Sequence, residues 1–202
     1  MPLSVDRRQA VVHRLAANDL TARLPPGSYP TAARHALQDS DPRSALVSLH
    51  ARVEACEPTA WEDDRLIQTY SPRAAVHVLP LADWAIYTVG RLPLDPDARR
   101  FVETEADRAV EALDGQEVRG NALPPDIHFR AACASGRIAV RWDARLTWYR
   151  AVPAPDVDLT ETRRELCRRH VHAHGPTTPE AFAWWAGLAV PDGQEVWQSV
   201  LP

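Results

Sequence analysis

The sequence contains no lysine: all 23 of its basic residues are arginine. It has a single methionine and only three cysteines, Cys56, Cys133 and Cys167. An odd, widely spaced set of that kind reads as reduced thiols in a cytosolic protein, not as a disulfide framework. No apolar run approaches the roughly 18 residues a membrane-spanning helix needs, so no membrane partner is expected. The opening "MPLSVDRRQAVVHRL" lacks the apolar segment of a secretion signal, and the expected location is the cytoplasm. There is no Gly-rich phosphate loop, no Cys-x-x-Cys pair and no nucleophile elbow, which counts against kinases, dinucleotide enzymes and hydrolases. A net charge of -4 argues against indiscriminate coating of nucleic acid.

With 202 residues, 45% apolar and 25% charged, the chain has room for one large domain or for one domain and a fragment. Charge is uneven. Residues 1–50 hold six arginines against four aspartates, and residues 151–202 hold four against seven acids, so any nucleic-acid surface is local. Arginine suits that task because its guanidinium offers a planar fork of donors to phosphate.

Apolar spacing predicts a helix after Ser4, a short one in "TAARHALQ", and one in "SDPRSALVSLHARV" with Asp41 as N-cap and Pro42 at its first position. "TAWEDDRLIQTY" reads as an amphipathic helix and "RAAVHVLP" as a strand. Helices follow in "LADWAIYTV", in "DPDARRFVETEADRAVEAL" up to Gly115, and in "PPDIHFRAACASG" up to Gly136. "RIAVRWDARLTWYRAV" alternates on both sides of "DA" as a β-hairpin does. After a Pro-rich linker, "LTETRRELCRRHVHAH" and "PEAFAWW" form a helix pair broken at Gly175-Pro176, and a third helix begins in "AVPDGQEVWQSVLP".

The expected fold is mainly α with small β (α+β). Residues 1–155 would form a winged helix-turn-helix with a β-hairpin wing, and residues 156–202 the helices of an incomplete second unit, the least stable part of the chain. Cys167, His170 and His174 share a helix face, but Arg168 and Arg169 sit among them and a fourth ligand is missing. No metal site and no cofactor are expected.

Four stretches, "ALQDSDPRSALVSLHARV", "SPRAAVHVLP", "SGRIAVRWDARLTWY" and "RRELCRRHVHAHGPTTPEAFAWWAGL", make the sequence resemble the bacterial winged-helix family of the AlkZ-like DNA glycosylases. That resemblance implies tandem winged-helix units, a duplex DNA partner, and excision of alkylated purines. It also implies a Gln-x-Gln motif, which here reads Gln38, Asp39 and Ser40. An N7-alkylated purine is already cationic, so the enzyme chiefly positions water and stabilises developing positive charge. Gln38 with Ser40 would hold that water and Asp39 or Asp41 would act as base. In the plainer alternative Asp41 caps a helix and Gln38 lies on the surface. Arg73 and His77 match an Arg-x-Thr-x-His pattern whose Thr is replaced by Ala75. Arg73 would then contact phosphate, or else pair with the acids at 62–64. Arg137, Arg141, Arg145 and Arg150 lie on or beside the hairpin and would reach phosphates or the minor groove. Three readings remain open: a DNA-binding protein with weak or no catalysis, a DNA glycosylase, and an interaction fragment. In the third, Phe182, Trp184, Trp185 and Trp197 would meet a second copy or a partner chain.

Overall fold

The computed structural model describes residues 4–41 and 43–200. Pro42, assigned above to a first helical position, lies outside the described residues. In chain order the elements are α1 (Arg7–Ala17), α2 (Tyr29–Ala32), β1 (Leu37–Gln38), α3 (Ser44–Arg52), β2 (Leu66–Tyr70), β3 (Val76–Pro80), α4 (Trp84–Tyr87), α5 (Pro96–Leu113) and β4 (Val118–Arg119). They continue with α6 (Phe129–Ala132), β5 (Ile138–Trp142), β6 (Thr147–Ala151), α7 (Leu159–His174), α8 (Pro179–Ala186) and α9 (Val190–Gln198).

The strands form one antiparallel sheet in the order β1-β3-β2-β5-β6-β4. The fold is α+β, with more β-structure than a lone wing. The expected hairpin is present as β5–β6, but it lies inside the sheet, with β2 on one side and β4 on the other. The helix expected over residues 59–70 is a correction. A short 3-10 turn, Ala60–Glu62, gives way to β2, a strand buried along its whole length. Asp63 ends the turn, its Oδ1 accepting from the Arg65 backbone N at 3.0 Å and side-chain Nε at 2.8 Å. A strand covered on both faces shows no apolar-polar alternation, so its residues also fit a helical spacing.

One cap assignment shifts as well. The first helix is closed by a capping box between Asp6 and Gln9, not by Ser4. Gly175 is the C-cap of α7 as expected, with φ -60, and a Cβ there would meet the Val171 carbonyl oxygen at 2.6 Å. Thr178 and Pro179 open α8 as the sequence suggests.

Strand alternation distributes the core. On one face Leu66 and Val78 pack under α2 and α3, while Tyr70, Val76, Ile138 and Val140 pack under α5 and α6. On the other, Ile67, Leu79 and Ala139 meet Leu166, Cys167, Phe182 and Val196 from α7, α8 and α9. Residues 156–202 therefore cover one face of the sheet. Arg163 of α7 is buried and donates to the carbonyl oxygens of Leu92 at 2.6 Å and Pro93 at 3.1 Å.

Candidate functional site

The Gln-Asp-Ser segment is read by the sheet two residues at a time. Gln38 lies opposite His77 in the β1–β3 ladder, and the Asp39 backbone N continues that ladder to the Val76 carbonyl at 2.8 Å. Period-2 alternation therefore sends Gln38 to the face covered by α7 and α8, and Asp39 to the opposite face. Gln38 Nε2 donates to Ser40 Oγ at 2.7 Å, and Arg73 donates to Gln38 Oε1. The two ends of the Gln38 amide are thus both engaged within the protein.

Gln38, Arg73 and His77 border a cleft of about 480 Å³ that also receives Arg14, Arg52 and Trp184. Arg14 is pinned to carbonyl oxygens at the end of α7, those of His174 and Pro176 at 3.0 Å each. Arg52 Nη1 donates to the Ser48 carbonyl at 2.9 Å, and its burial weakens its hold on its proton. The Arg73 guanidinium stands 5.3 Å above the Trp184 ring, and Trp184 is 67% exposed. Among the described residues none of these three arginines has a carboxylate within 4.0 Å, and no acid lines the cleft. The site is cationic, with one open aromatic face.

Ala36 and Arg73 in its lining, and Ala74 beside Arg73, take left-handed φ values between 53° and 59°. Asp19, Arg43, Ala55, Asp114 and Ala144 elsewhere in the chain are left-handed too. Each costs on the order of 1 kcal/mol for a residue with a Cβ.

Histidines form the cleft's inner wall. His170 and His174 lie 4.9 Å apart, and each faces Trp185, at 4.9 and 5.7 Å. Burial holds His35 and His77 down to about 4 and His170 down to about 3. All three are therefore neutral at pH 7. Their folded values lie below the unfolded value of about 6.5. The stability that the neutral rings contribute is fully present above pH 6.5 and is lost as pH falls toward 4. The thermal midpoint should decline over that window, and His170→Phe should flatten the decline. A midpoint constant down to pH 4 would contradict this.

Asp39 is not placed to act as a base. It is fully buried, its Oδ1 accepts from the Ala45 N at 3.0 Å, and its Oδ2 accepts from Gln68 Nε2 at 3.3 Å. The N-cap of α3 is Arg43 and not Asp41, and the Asp39 side chain supplies the acceptor for a first-turn N–H; burial pushes its pKa above its ordinary value. Asp39→Ala should cost about 2 kcal/mol in denaturant unfolding, through a lost cap and an unpaired Gln68 amide. Asp39→Asn keeps an acceptor for Ala45 and should cost about half as much. Equal losses would mean the cap is not what Asp39 provides.

The hairpin arginines are not gathered at this cleft. Arg137 pairs with Asp107 at 2.5 Å and Arg141 with Glu117 at 3.0 Å, while Arg145 opens on a different hollow with Arg119 and Arg130. Arg73 does not pair with the acids at 62–64; its partner is Gln38. Cys167 packs in the apolar cluster of α7–α9, and among the described residues no three His, Cys, Asp or Glu side chains converge as metal ligands do. The apolar face envisaged for a partner is smaller than expected, because Phe182 is buried and Trp185 and Trp197 are half-buried. Sequence reasoning missed the contributions of Arg14, His35, Arg52 and Trp184 to the cleft.

Residues 31–202 match a protein-family model described as DNA glycosylase AlkZ-like. The solved structure of Streptomyces sahachiroi DNA glycosylase AlkZ superposes with a TM-score of 0.72 at 15% identity, covering 98% of this chain and 66% of that one. At that identity the likeness is one of fold, and this chain spans about two thirds of that protein's length. No curated protein matches the chain in sequence.

Proposed function

Since the chain belongs to the AlkZ-like DNA glycosylase family, we propose that it is a winged-helix protein that binds duplex DNA at the Gln38 cleft and has weak or no base-releasing activity of its own. The observation that carries this reading is the commitment of the Gln38 amide to Arg73 and Ser40. A glutamine that positions water needs a free acceptor, and this one has its oxygen under a guanidinium. The charge of the cleft points the same way. Three arginines without carboxylate partners favour a phosphate and disfavour a cationic alkylated base in the same space. Trp184 offers the stacking surface that an unstacked base requires.

The second reading, a glycosylase for N7-alkylated purines, rests on Gln38, Ser40 and Arg73 meeting beside His77. The winged-helix units at residues 1–155 and 156–202 belong to the same proposal, as does a second copy or partner chain against the outer groove of α1, α7 and α9.

Titration of fluorescently labelled undamaged and N7-methylated duplexes, read by anisotropy across a salt series, tests the first reading. We expect similar affinities for the two duplexes, a steep loss with salt, and no purine release above background. Release from the methylated duplex that disappears in Gln38→Ala would replace the first reading with the second.

A further inference from the structure

A second basic hollow lies at the far edge of the sheet from β1. It measures about 690 Å³, and its arginines, Arg119, Arg130 and Arg145, come from three separate elements: β4, α6 and the β5–β6 turn. Two of them are held over aromatic rings, Arg119 at 5.1 Å from Trp148 and Arg130 at 5.1 Å from Tyr70. All three are exposed, and among the described residues none has a carboxylate within 4.0 Å. The nearest acid in the turn, Asp143, is occupied by the backbone N–H groups of Arg145 at 3.0 Å and Leu146 at 2.8 Å. No aspartate or glutamate lines the hollow, in a chain whose net charge is -4. That contrasts with Arg137, just before strand β5, and Arg141 on it, whose charges are met by Asp107 and Glu117.

The floor is apolar. Phe129 and Tyr149, both largely buried, meet there with centroids 4.5 Å apart and ring planes 38° from parallel, and Pro124 and Pro125 form one side. Gly120 lets the edge strand close on it, since a Cβ there would come within 3.0 Å of the Tyr149 ring. Guanidinium groups free of carboxylates around an aromatic-lined hollow match a ligand that carries a phosphate and an apolar ring. We infer that this hollow binds a nucleotide, with Arg119, Arg130 and Arg145 on the phosphate and the base against the Phe129–Tyr149 floor. It shares no lining residue with the Gln38 cleft, so either site can fail without the other.

The nucleotide can belong to a single strand or be free, and one experiment distinguishes these. The full chain is titrated at low salt with a fluorescent 5′-phosphorylated single-stranded hexamer and, separately, with adenosine 5′-monophosphate. The Arg130→Ala/Arg145→Ala variant and the charge control Arg137→Ala are titrated alongside. At least one probe should bind, with affinity falling about tenfold or more in the double variant and changing less than threefold in Arg137→Ala. Binding of the hexamer alone identifies a strand, and binding of both identifies the nucleotide unit. The double variant should keep its melting temperature, since both side chains are exposed. The inference is overturned if neither probe binds, if the double variant binds as well as the parent, or if Arg137→Ala is equally weakened.

Discussion

Phe182→Ala should destabilise the whole protein by about 3–5 kcal/mol, the usual cost of emptying a buried phenylalanine site. Phe182 is fully buried in α8 and belongs to a cluster that includes Ile67 of β2, Leu79 of β3 and Ala139 of β5. A cavity there weakens the contact between α7–α9 and the sheet itself. Unfolding followed by tryptophan fluorescence and by far-ultraviolet circular dichroism should therefore remain one coincident transition, moved to lower denaturant. Trp184→Ala, two residues along the same helix but 67% exposed, should move it by no more than about 0.5 kcal/mol. Two separated transitions in Phe182→Ala, with α-helical signal lost first, would mean that residues 156–202 fold as an independent unit. Coincidence would make them the cover of one sheet face, whatever their relation to a winged-helix repeat.

The same arrangement explains what could and could not be read from the chain. The β5–β6 hairpin was legible because period-2 alternation brackets a short turn, and the α7–α8 break was legible from Gly175, Thr178 and Pro179. Strand β2 was not, because burial on both sides removes the alternation that marks a strand. Gln38, Arg73 and His77 were picked out through family resemblance, and the β1–β3 ladder brings them together. The rest of the cleft comes from α1, α3, α7 and α8, the last two far along the chain from Gln38. Trp184 and Trp185 read equally well as helix packing, and only the fold sends one outward and the other against His170. Nor can sequence tell a free arginine from a paired one. Arg137 and Arg145 are alike as letters, but Asp107 lies 30 residues from the first and folds back onto it.

Arg73 is the residue on which the functional reading turns. It is fixed to Gln38, stands over Trp184, and is held in a left-handed backbone conformation that only surrounding structure can enforce. Arg73→Ala should weaken duplex binding by about tenfold and reduce the dependence of log K on log salt by about one contact. Arg73→Glu should weaken it by about a hundredfold, since it adds a repelling charge where an attracting one is lost. Gln38→Glu gives a sharper test of why Arg73 matters. A carboxylate at that position would pair with the guanidinium and reduce its pull on phosphate, while leaving the Trp184 face in place. Its loss should approach that of Arg73→Ala, and the two changes together should cost little more than either alone, because both remove the same interaction. Additive losses would mean that Gln38 and Arg73 contact DNA separately. In that case the Gln38 amide is not committed to Arg73 when DNA is bound, and the objection to a water-positioning role for it falls.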